Sequence, residues 1–465
     1  MLKDVNISVT DGGLGSKESS GEGVHAKIGA SPKTLTSYIT ITSAMNAKKI
    51  KELLGDCPLA DAVMDSIKAG SKKIYCFPVT PSTDGTVSDV TATKSGTGTI
   101  TISGKPNNAY DVQILITATG AVNVGTFIYT INGGHTWSDE ITIPTDGEYA
   151  EEVTGLTFTF SSSATSFTEG DKFSFSTTAP AINSASIIAA VDKIKSNKVD
   201  VEFAHIVGQS NKALWVSMLA EAIELESIYK MPIFFVMEAT NKTTEQSTVS
   251  AYVTALLEDR KGFVGKYIQV ISGRALYNKL DGTTKDVNAA GIICGLYAKA
   301  KLQQSIGEVR AFPIEGITKL LPEGIEEHIA ELDEAKFVTL RQYIGLDSFY
   351  VTNAWMMASA DSDYQYAERM RVANKLQKET RKAALPALQS TIDMSNVDKS
   401  LAVIAEEIQI PVETMARNGE ISSGRIIIPE DQDVLSTEKL NFKIRYVPVG
   451  YARSIDIDMG MEKPQ

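Results

Sequence analysis

The sequence predicts an α+β protein of several domains, and its length, its strand patterns and their alternation with helical patterns support this class. The 465 residues suggest about three domains at roughly 150 residues each. Short alternating strands cluster between residues 85 and 180, whereas apolar strands alternate with amphipathic helices on either side. Two long helical patterns follow residue 360. These patterns predict an α/β body, an inserted antiparallel β-sandwich and a C-terminal α+β domain.

The α/β body is predicted from residues 21–84 and 181–358, where apolar runs of strand length alternate with helical patterns. Such alternation favours a mixed, largely parallel sheet that is covered by helices. The strand candidates are residues 73–79, 201–208, 232–239, 266–273, 309–314 and 349–357. The helix candidates are residues 212–228, 245–260, 286–304 and 324–334.

The inserted β-sandwich is predicted from residues 85–180, whose composition differs from that of the flanking chain. Threonine is frequent there, acidic residues outnumber lysines ten to three, and arginine does not occur. Short alternating runs recur between Gly, Asn and Asp turns, as is typical of an antiparallel sandwich. The segment TINGGHTW (130–137) resembles the Asp-box pattern, and its Asn-Gly pair favours a hairpin turn. We therefore interpret this motif as an element of the fold.

The C-terminal region is predicted to span residues 359–465. Its first helix is expected to start with Asp361, Ser362 or Asp363 as N-cap, and its second helix to run from about Asn396 to Asn418. Gly419 is the predicted stop of the second helix. A short strand, an acidic polar linker at 430–438 and two strand-like runs follow.

Composition excludes several function classes. The net charge of −12 and the pI of about 5.1 argue against a nucleic-acid partner, which would require clustered excess Lys and Arg. Cys57, Cys76 and Cys294 lie too far apart to indicate a zinc site or a disulfide framework. The start lacks the features of a signal peptide, and no window is apolar enough for a membrane span. We expect no cofactor, no metal and no membrane insertion. The protein is expected to be made and kept in the cytoplasm, or to leave it by a route that needs no leader.

Catalytic motifs are weak in this sequence. The segment GQSN (208–211) resembles part of a nucleophile elbow, but Lys212 stands where the second Gly is needed, so a Ser or Asn helix cap is the preferred interpretation. The four histidines show no metal-ligand spacing, and His205 falls within a predicted strand. The Gly-rich segment 11–23 lacks the spacing of a phosphate loop and is interpreted as a linker. We predict no catalytic residue and no enzymatic activity.

The chain termini carry alternating apolar runs typical of half-buried strands. The apolar positions are Val5, Ile7, Val9, Leu440, Phe442, Ile444, Tyr446, Ile455, Ile457 and Met459. The polar faces of the last two runs carry opposite charges, which favours pairing between them. Loose stretches at 11–23 and 430–438 separate these runs from the body. The sequence leaves two alternatives open: the strands complete a neighbouring subunit's sheet, or they pair within their own subunit.

The order of elements in the C-terminal region resembles that of contractile tail sheath proteins of myophages and R-type bacteriocins. The resemblance lies in YAERMRVANKLQKETRKAAL, then VDKSLAVIAEEIQIPVETMARNGEI, then SGRIIIPEDQDVLSTEKLNFKIRYVPVGYARSIDIDM. It implies stacked hexameric rings around an inner tail tube protein, with baseplate and tail terminator proteins as further partners. It also implies a C-terminal assembly domain with exchanged terminal strands, residues 1–20 as an N-terminal linking arm, and contraction that drives the tube through a cell envelope. The particle would be assembled in the bacterial cytoplasm, as a virion tail or a phage-tail-like particle.

The first C-terminal helix carries an excess of positive charge in an acidic chain. Its basic residues are Arg369, Arg371, Lys375, Lys378, Arg381 and Lys382. A solvated helix face is one interpretation. The resemblance to sheath proteins implies another, contact with an acidic inner tube.

Two other functions remain open at this stage. One is a cytoplasmic α/β hydrolase with a carbohydrate-binding insert, for which no nucleophile, base and acid could be assembled. The other is a surface adhesin whose sandwich binds glycans. The structural sheath subunit is the preferred hypothesis.

Overall fold

A computed structural model describes residues 22–33, 37–161, 167–430 and 432–462 of the chain. The first part of the body forms three strands and two helices. These are β1 (His25–Ala30), β2 (Ile39–Thr42), α1 (Ala47–Leu54), α2 (Pro58–Ala69) and β3 (Lys73–Val79). The predicted strand at 73–79 is confirmed with the same boundaries.

The described residues of the inserted segment form eight strands in two antiparallel sheets. The strands are β4 (Thr91–Thr93), β5 (Thr99–Gly104), β6 (Asp111–Ala118), β7 (Thr126–Thr130), β8 (Ile141–Thr142), β9 (Glu148–Glu151), β10 (Leu156–Ser161) and β11 (Lys172–Ser176). One sheet has the order β5-β10-β9, and the other has the order β4-β11-β6-β7-β8. Alternate side chains of both sheets enter one hydrophobic core, which is rich in Phe and Ile.

The chain then returns to the body and completes its main sheet. The elements are α3 (Ser184–Asn197), β12 (Phe203–Ser210), α4 (Lys212–Ser227), β13 (Phe234–Ala239), α5 (Val249–Arg260), β14 (Ile268–Ile271), β15 (Arg274–Asn278), β16 (Thr284–Asn288), α6 (Ala290–Lys299), β17 (Ile317–Leu321), α7 (Ile329–Glu334), β18 (Leu340–Gln342) and β19 (Phe349–Val351). A 3-10 turn at Ile325–His328 precedes α7. The six-stranded sheet has the order β14-β13-β12-β1-β3-β2, and only β2 is antiparallel.

The C-terminal region consists of helices and a two-stranded antiparallel sheet. Its elements are α8 (Ala367–Ala384), α9 (Val397–Arg417), β20 (Ser423–Ile427), α10 (Val434–Thr437) and β21 (Lys443–Val447). A 3-10 turn at Leu385–Ala387 follows α8. Helix α9 confirms the predicted second helix, and Gly419 ends it with a φ of +72°, a conformation that glycine adopts without strain.

Strand β1 is central in the main sheet and is not among the predicted strands. β1 lies between β12 and β3 in parallel register, although its sequence HAKIGA contains His and Lys. Lys27 is fully buried, and its Nζ lies 2.7 Å from Nδ1 of His205. Nε2 of His205 lies 3.0 Å from Oε1 of Glu238. These contacts give the buried Lys27 and His205 polar partners, and the ring of His25 stacks on Phe203. Such contacts explain how a polar sequence occupies a core strand.

Several predicted elements differ from the structure. Residues 286–288 of the predicted helix 286–304 belong to β16. Residues 309–314 form no strand, and the run at 349–357 is a strand only over Phe349–Val351. Helix α8 begins at Ala367, six residues after Asp361. The reason is that residues 354–357 lie antiparallel to residues 365–367, with Met356 N–H donating to Gln365 O at 2.8 Å and Ala367 N–H donating to Ala354 O at 2.8 Å. Because of this extended pairing, the residues before Ala367 do not join the helix.

The Phe158→Ala substitution should destabilise the inserted sheets selectively. Phe158 is fully buried and contacts the rings of Tyr129, Tyr149 and Phe175. Loss of the ring should cost about 3–5 kcal/mol. Hydrogen exchange should show reduced amide protection in β4–β11 and unchanged protection in β12 and β13. The matched control is Val153→Ala, at a position that is 48% exposed, and the same loss of protection in both variants would contradict the prediction.

Candidate assembly site

The C-terminal sheet packs on a small hydrophobic core between α8 and α9. β20 and β21 pair in register from Ser423 opposite Val447 to Ile427 opposite Lys443. Ile444 and Tyr446 of β21 are half-buried and face this core. Its fully buried members are Leu302, Val372, Leu376, Val412, Met415 and Ile421. One face of the sheet is therefore covered, and the other is exposed.

A glutamine side chain closes the outer edge of β20. Oε1 of Gln409, on α9, accepts from Ile426 N–H at 2.9 Å. Nε2 of Gln409 donates to Gly424 O at 3.1 Å. The amide thus occupies two of the backbone groups with which an added strand would pair, and such protection hinders edge-to-edge association.

The outer edge of β21 is open to an added strand. Gly424 and Ile426 point their backbone groups away from β21, so their antiparallel partners Tyr446 and Ile444 point theirs away from β20. Ile444 O accepts from Nη1 of Arg445, its own neighbour, at 3.0 Å. No strand among the described residues pairs with this edge. A cleft of ≈ 620 Å³ lies beside it, with Tyr364 among the residues that line it.

The C-terminal arm, residues 448–462, follows β21 without regular secondary structure. Two of its residues anchor its first part to the body. The hydroxyl of Tyr451 donates to Gln303 O at 2.6 Å. The guanidinium of Arg453 lies 3.5 Å from the ring centroid of Tyr366 and forms an ion pair with Glu368. The position and direction of the arm are therefore fixed at Arg453.

Beyond Arg453 the arm leaves its apolar side chains in solvent. Ile455, Ile457 and Met459 are 78%, 85% and 92% exposed. The predicted half-buried strand is therefore not formed within the single chain. The physical reason is that an isolated extended segment has no partner for its backbone hydrogen bonds.

The other predicted inter-subunit strands have different outcomes. The run from Lys439 to Tyr446 was predicted to contribute an inter-subunit strand. β21 pairs with β20 of the same chain along one edge, and its pairing with a neighbour along the other edge stays a prediction. Leu440 and Phe442 precede the strand and are half-buried. Val5, Ile7 and Val9 lie outside the described residues.

Helix α8 holds the C-terminal region on the body through a buried ion pair. Arg371 is 1% exposed, and its Nη2 donates to Oε2 of Glu202 at 3.1 Å and to Tyr297 O at 2.9 Å. Burial disfavours the charged guanidinium, but the attraction and hydrogen bonds of Glu202 outweigh it and raise the pKa of Arg371. Glu202 also accepts from Gly23 N–H at 2.7 Å. The prediction that Arg371 lies on a solvated or tube-facing surface is therefore wrong.

Two more of the predicted tube contacts form ion pairs within the chain. Nζ of Lys375 lies 2.7 Å from Oε1 of Glu420 and pairs with Glu22. Burial opposes the charge of Lys375, but these two carboxylates raise its pKa. Nζ of Lys378 lies 2.9 Å from Oδ1 of Asp200.

The remaining three basic residues of α8 differ in their exposure. Arg369 is half-buried, and its Nη1 donates to Asp363 O at 3.2 Å. Arg381 and Lys382 are exposed. The helix thus uses one face to bind the body and keeps two basic side chains in solvent at its C-terminal end.

The segment GQSN at 208–211 has a structural role. Oδ1 of Asn211 accepts from Leu214 N–H at 3.3 Å and caps α4, so the predicted helix cap is confirmed. Oγ of Ser210 donates to Glu238 O at 2.5 Å and accepts from Nε1 of Trp215 at 2.8 Å. The Ser210 hydroxyl therefore helps to hold the indole ring of Trp215 in place.

A second cleft, of ≈ 300 Å³, lies at the carboxyl ends of β1 and β12. Its charged groups pair with one another, since Nζ of Lys279 lies 2.6 Å from Oδ1 of Asp65 and Nζ of Lys285 lies 3.4 Å from Oδ2 of Asp61. Within the described ranges, no group of three or more His, Cys, Asp or Glu side chains could hold a metal ion. No helix in the described part of the chain is long and apolar enough to cross a membrane.

The Asp-box-like segment forms the turn between β7 and β8, as predicted. Oδ1 of Asn132 accepts from Thr136 N–H at 3.0 Å, and Oγ1 of Thr130 accepts from Gly134 N–H at 3.1 Å. These bonds close the turn on itself.

The Glu202→Gln substitution should destabilise the attachment of α8 to the body. It leaves the buried guanidinium of Arg371 without a counter-charge, which should cost about 3–5 kcal/mol in the free energy of unfolding. Urea denaturation measures this loss. Glu379→Gln removes a partly exposed ion pair with Lys382 and should cost less than about 1 kcal/mol. Equal losses in the two variants would contradict the assignment.

The Gly424→Ala substitution should loosen the C-terminal sheet. A Cβ at Gly424 would lie 2.4 Å from Cγ1 of Val412, so strand and helix must separate, at about 1–3 kcal/mol. Gly450→Ala is the matched control, because nothing lies within 4 Å of its Cβ position. Thermal unfolding of the two variants measures the difference, and a wild-type midpoint for Gly424→Ala would refute this packing.

Two family models match the chain. The DUF2586 N-terminal domain matches residues 2–355, and the DUF2586 C-terminal domain matches residues 363–465. Comparison of the sequence with curated proteins finds no match.

Solved structures with a similar fold come from contractile particles. A chain of the anti-feeding prophage baseplate is 10% identical with a TM-score of 0.55, and the match covers 100% of this chain and 99% of that one. A chain of the PVC sheath complex in the contracted state, from an extracellular contractile injection system, is 10% identical with a TM-score of 0.55, covering 99% and 98%. The sheath tail protein from Desulfitobacterium hafniense is 13% identical with a TM-score of 0.49, covering 96% and 100%.

The two structures with the higher TM-score establish the fold, and the predicted resemblance to contractile tail sheath proteins is confirmed at that level. The family models cover nearly the whole sequence. The chain therefore belongs to the DUF2586 family and has the fold of contractile sheath proteins.

Proposed function

We propose that this protein is the structural subunit of a contractile sheath, which polymerises as stacked hexameric rings around an inner tube. The observation that carries the proposal is the C-terminal arm, which is anchored at Arg453 and exposes Ile455, Ile457 and Met459 beyond it. The same chain offers an open edge on β21. In β-augmentation an extended segment of one subunit adds as a strand to the open sheet edge of another. This chain carries both an unpaired apolar segment and an open sheet edge, so identical subunits could join in this way.

The proposed division of the chain follows this role. Residues 21–84 and 181–358 form the α/β body, residues 85–180 form a β-sandwich that projects from the outer face, and residues 359–465 form the assembly domain. Residues 1–20 serve as an N-terminal linking arm. The separate hydrophobic cores of the body, the insert and the C-terminal region support this division.

Contraction in this proposal uses the arms as hinges. Backbone ladders between an arm and its neighbour's sheet persist, while new contacts between subunit bodies favour the contracted state. Anchoring at Tyr451 and Arg453 transmits the movement of each body to its arm. Contraction would then drive the tube through a cell envelope.

The proposed partners are further copies of this chain, an inner tail tube protein, and baseplate and tail terminator proteins. For contact with an acidic tube, Arg381 and Lys382 are the basic side chains of α8 that the fold leaves exposed. Assembly would take place in the bacterial cytoplasm, and the particle would be a virion tail or a phage-tail-like particle. The role is structural, and no step in it requires catalysis.

Removal of residues 454–465 should abolish polymerisation. The purified full-length chain is expected to form tubes or rings about 200 Å wide in electron micrographs, whereas the truncated chain should stay monomeric, because its neighbours lose their added strand. The matched control is removal of residues 460–465, which retains Ile455, Ile457 and Met459 and should still polymerise. Long polymers from the truncated chain would contradict the role of the arm, and uniform monomers of the full-length chain would contradict the sheath function.

A further inference from the structure

The exposed face of the C-terminal sheet carries three cations. Arg425 of β20 lies directly opposite Arg445 of β21, and Lys443 lies on the same face. All three side chains are exposed. Like charges directly opposite each other destabilise a strand pair. None of the three forms an ion pair with any residue in the described ranges, so this cationic face lacks a counter-charge within the subunit.

The guanidinium of Arg445 lies at the open edge of β21. Its Nη1 donates to Ile444 O at 3.0 Å, and Ile444 O points toward the outer side of the strand. An acidic side chain on an added strand would therefore lie beside Arg445. The neighbouring charge of Arg425 increases the gain from such a counter-charge.

The C-terminal arm carries the complementary pattern. Asp456 and Asp458 alternate with the apolar side chains of Ile455, Ile457 and Met459, and all of these residues are exposed. No ion pair within the described part of the chain involves either aspartate. The N-terminal run is different, because Asn6, Ser8 and Thr10 make its polar face neutral. Charge complementarity thus distinguishes the C-terminal arm from the N-terminal one.

We infer that the cationic face of β21 receives Asp456 and Asp458 from the C-terminal arm of a second copy, and that this pairing fixes the register of the added strand. The inference rests on the proposed sheath function. In the favoured register the arm's isoleucines lie on the core side with Ile444 and Tyr446, and the aspartates lie beside Lys443 and Arg445. A slip by one residue exchanges the two faces of the arm. It would place aspartates on the apolar side and isoleucines beside the cations.

Charge reversal on each partner tests the inference. The arm variant combines Asp456→Lys with Asp458→Lys, and the receiver variant combines Lys443→Glu with Arg445→Glu. Each variant alone should need at least about a tenfold higher protein concentration than wild type to form sedimentable polymer, because two attractive contacts per subunit become repulsive. A mixture of the two variants in equal amounts should polymerise near the wild-type concentration, since each arm then meets a receiver of opposite charge.

The matched control reverses the same number of acidic charges elsewhere. Asp139→Lys with Glu152→Lys changes two exposed residues of the insert and should polymerise as wild type does. An arm variant that also polymerises at the wild-type concentration would overturn the inference. A receiver variant that is impaired while the arm variant is not would assign the cationic face to another acidic partner and overturn it as well.

Further outcomes distinguish arm pairing within one chain, misfolding of the receiver variant and failure of the proposed function. If all four substitutions in one chain restore polymer but the mixture does not, the arm pairs within its own chain, and the inference is wrong. If the receiver variant fails to fold by circular dichroism, Arg445→Glu alone replaces it in the mixture and should still restore polymer. Failure of the wild-type chain to polymerise would instead refute the proposed function.

Discussion

The buried ion pair between Arg371 and Glu202 joins three parts of the structure. Arg371 lies on α8, Glu202 lies just before β12, and the same carboxylate accepts from Gly23 N–H ahead of β1. A buried charge must keep its counter-charge, because an unpaired ion in the protein interior is costly. The pair therefore fixes the position of α8 on the body, and with it the orientation of the C-terminal sheet that packs on α8.

The C-terminal sheet is asymmetric as a consequence of what surrounds it. Gln409 binds two backbone groups on the outer edge of β20, whereas no strand in the described part of the chain pairs with the outer edge of β21. The core between α8 and α9 covers one face of the sheet and leaves the other to Arg425, Lys443 and Arg445. The open edge of β21, the exposed face of the sheet and its positive charge together restrict how a neighbouring chain can bind. Such restriction is what a homopolymer needs, because every subunit presents the same groups many times.

Sequence patterns predicted the elements whose stability is local. The strand at 73–79 and the helix from Val397 to Arg417 follow directly from apolar periodicity and from the stop at Gly419. Patterns failed where distant contacts decide the structure. β1 carries a buried Lys27, which contacts His205, and His205 in turn contacts Glu238. Helix α8 starts late because residues before it pair with residues 354–357. No periodicity contains that information.

The sequence by itself determined the α+β class, the β-rich insert, the long C-terminal helices and the alternation of apolar and acidic residues in the arm. These features depend on residues close together in the chain. Only the tertiary structure decided that Arg371 is internal, that β21 pairs with β20 of the same chain, and that Ile455, Ile457 and Met459 are exposed. Each of these outcomes depends on which distant groups satisfy a buried charge or an exposed backbone edge, and folding brings those groups together.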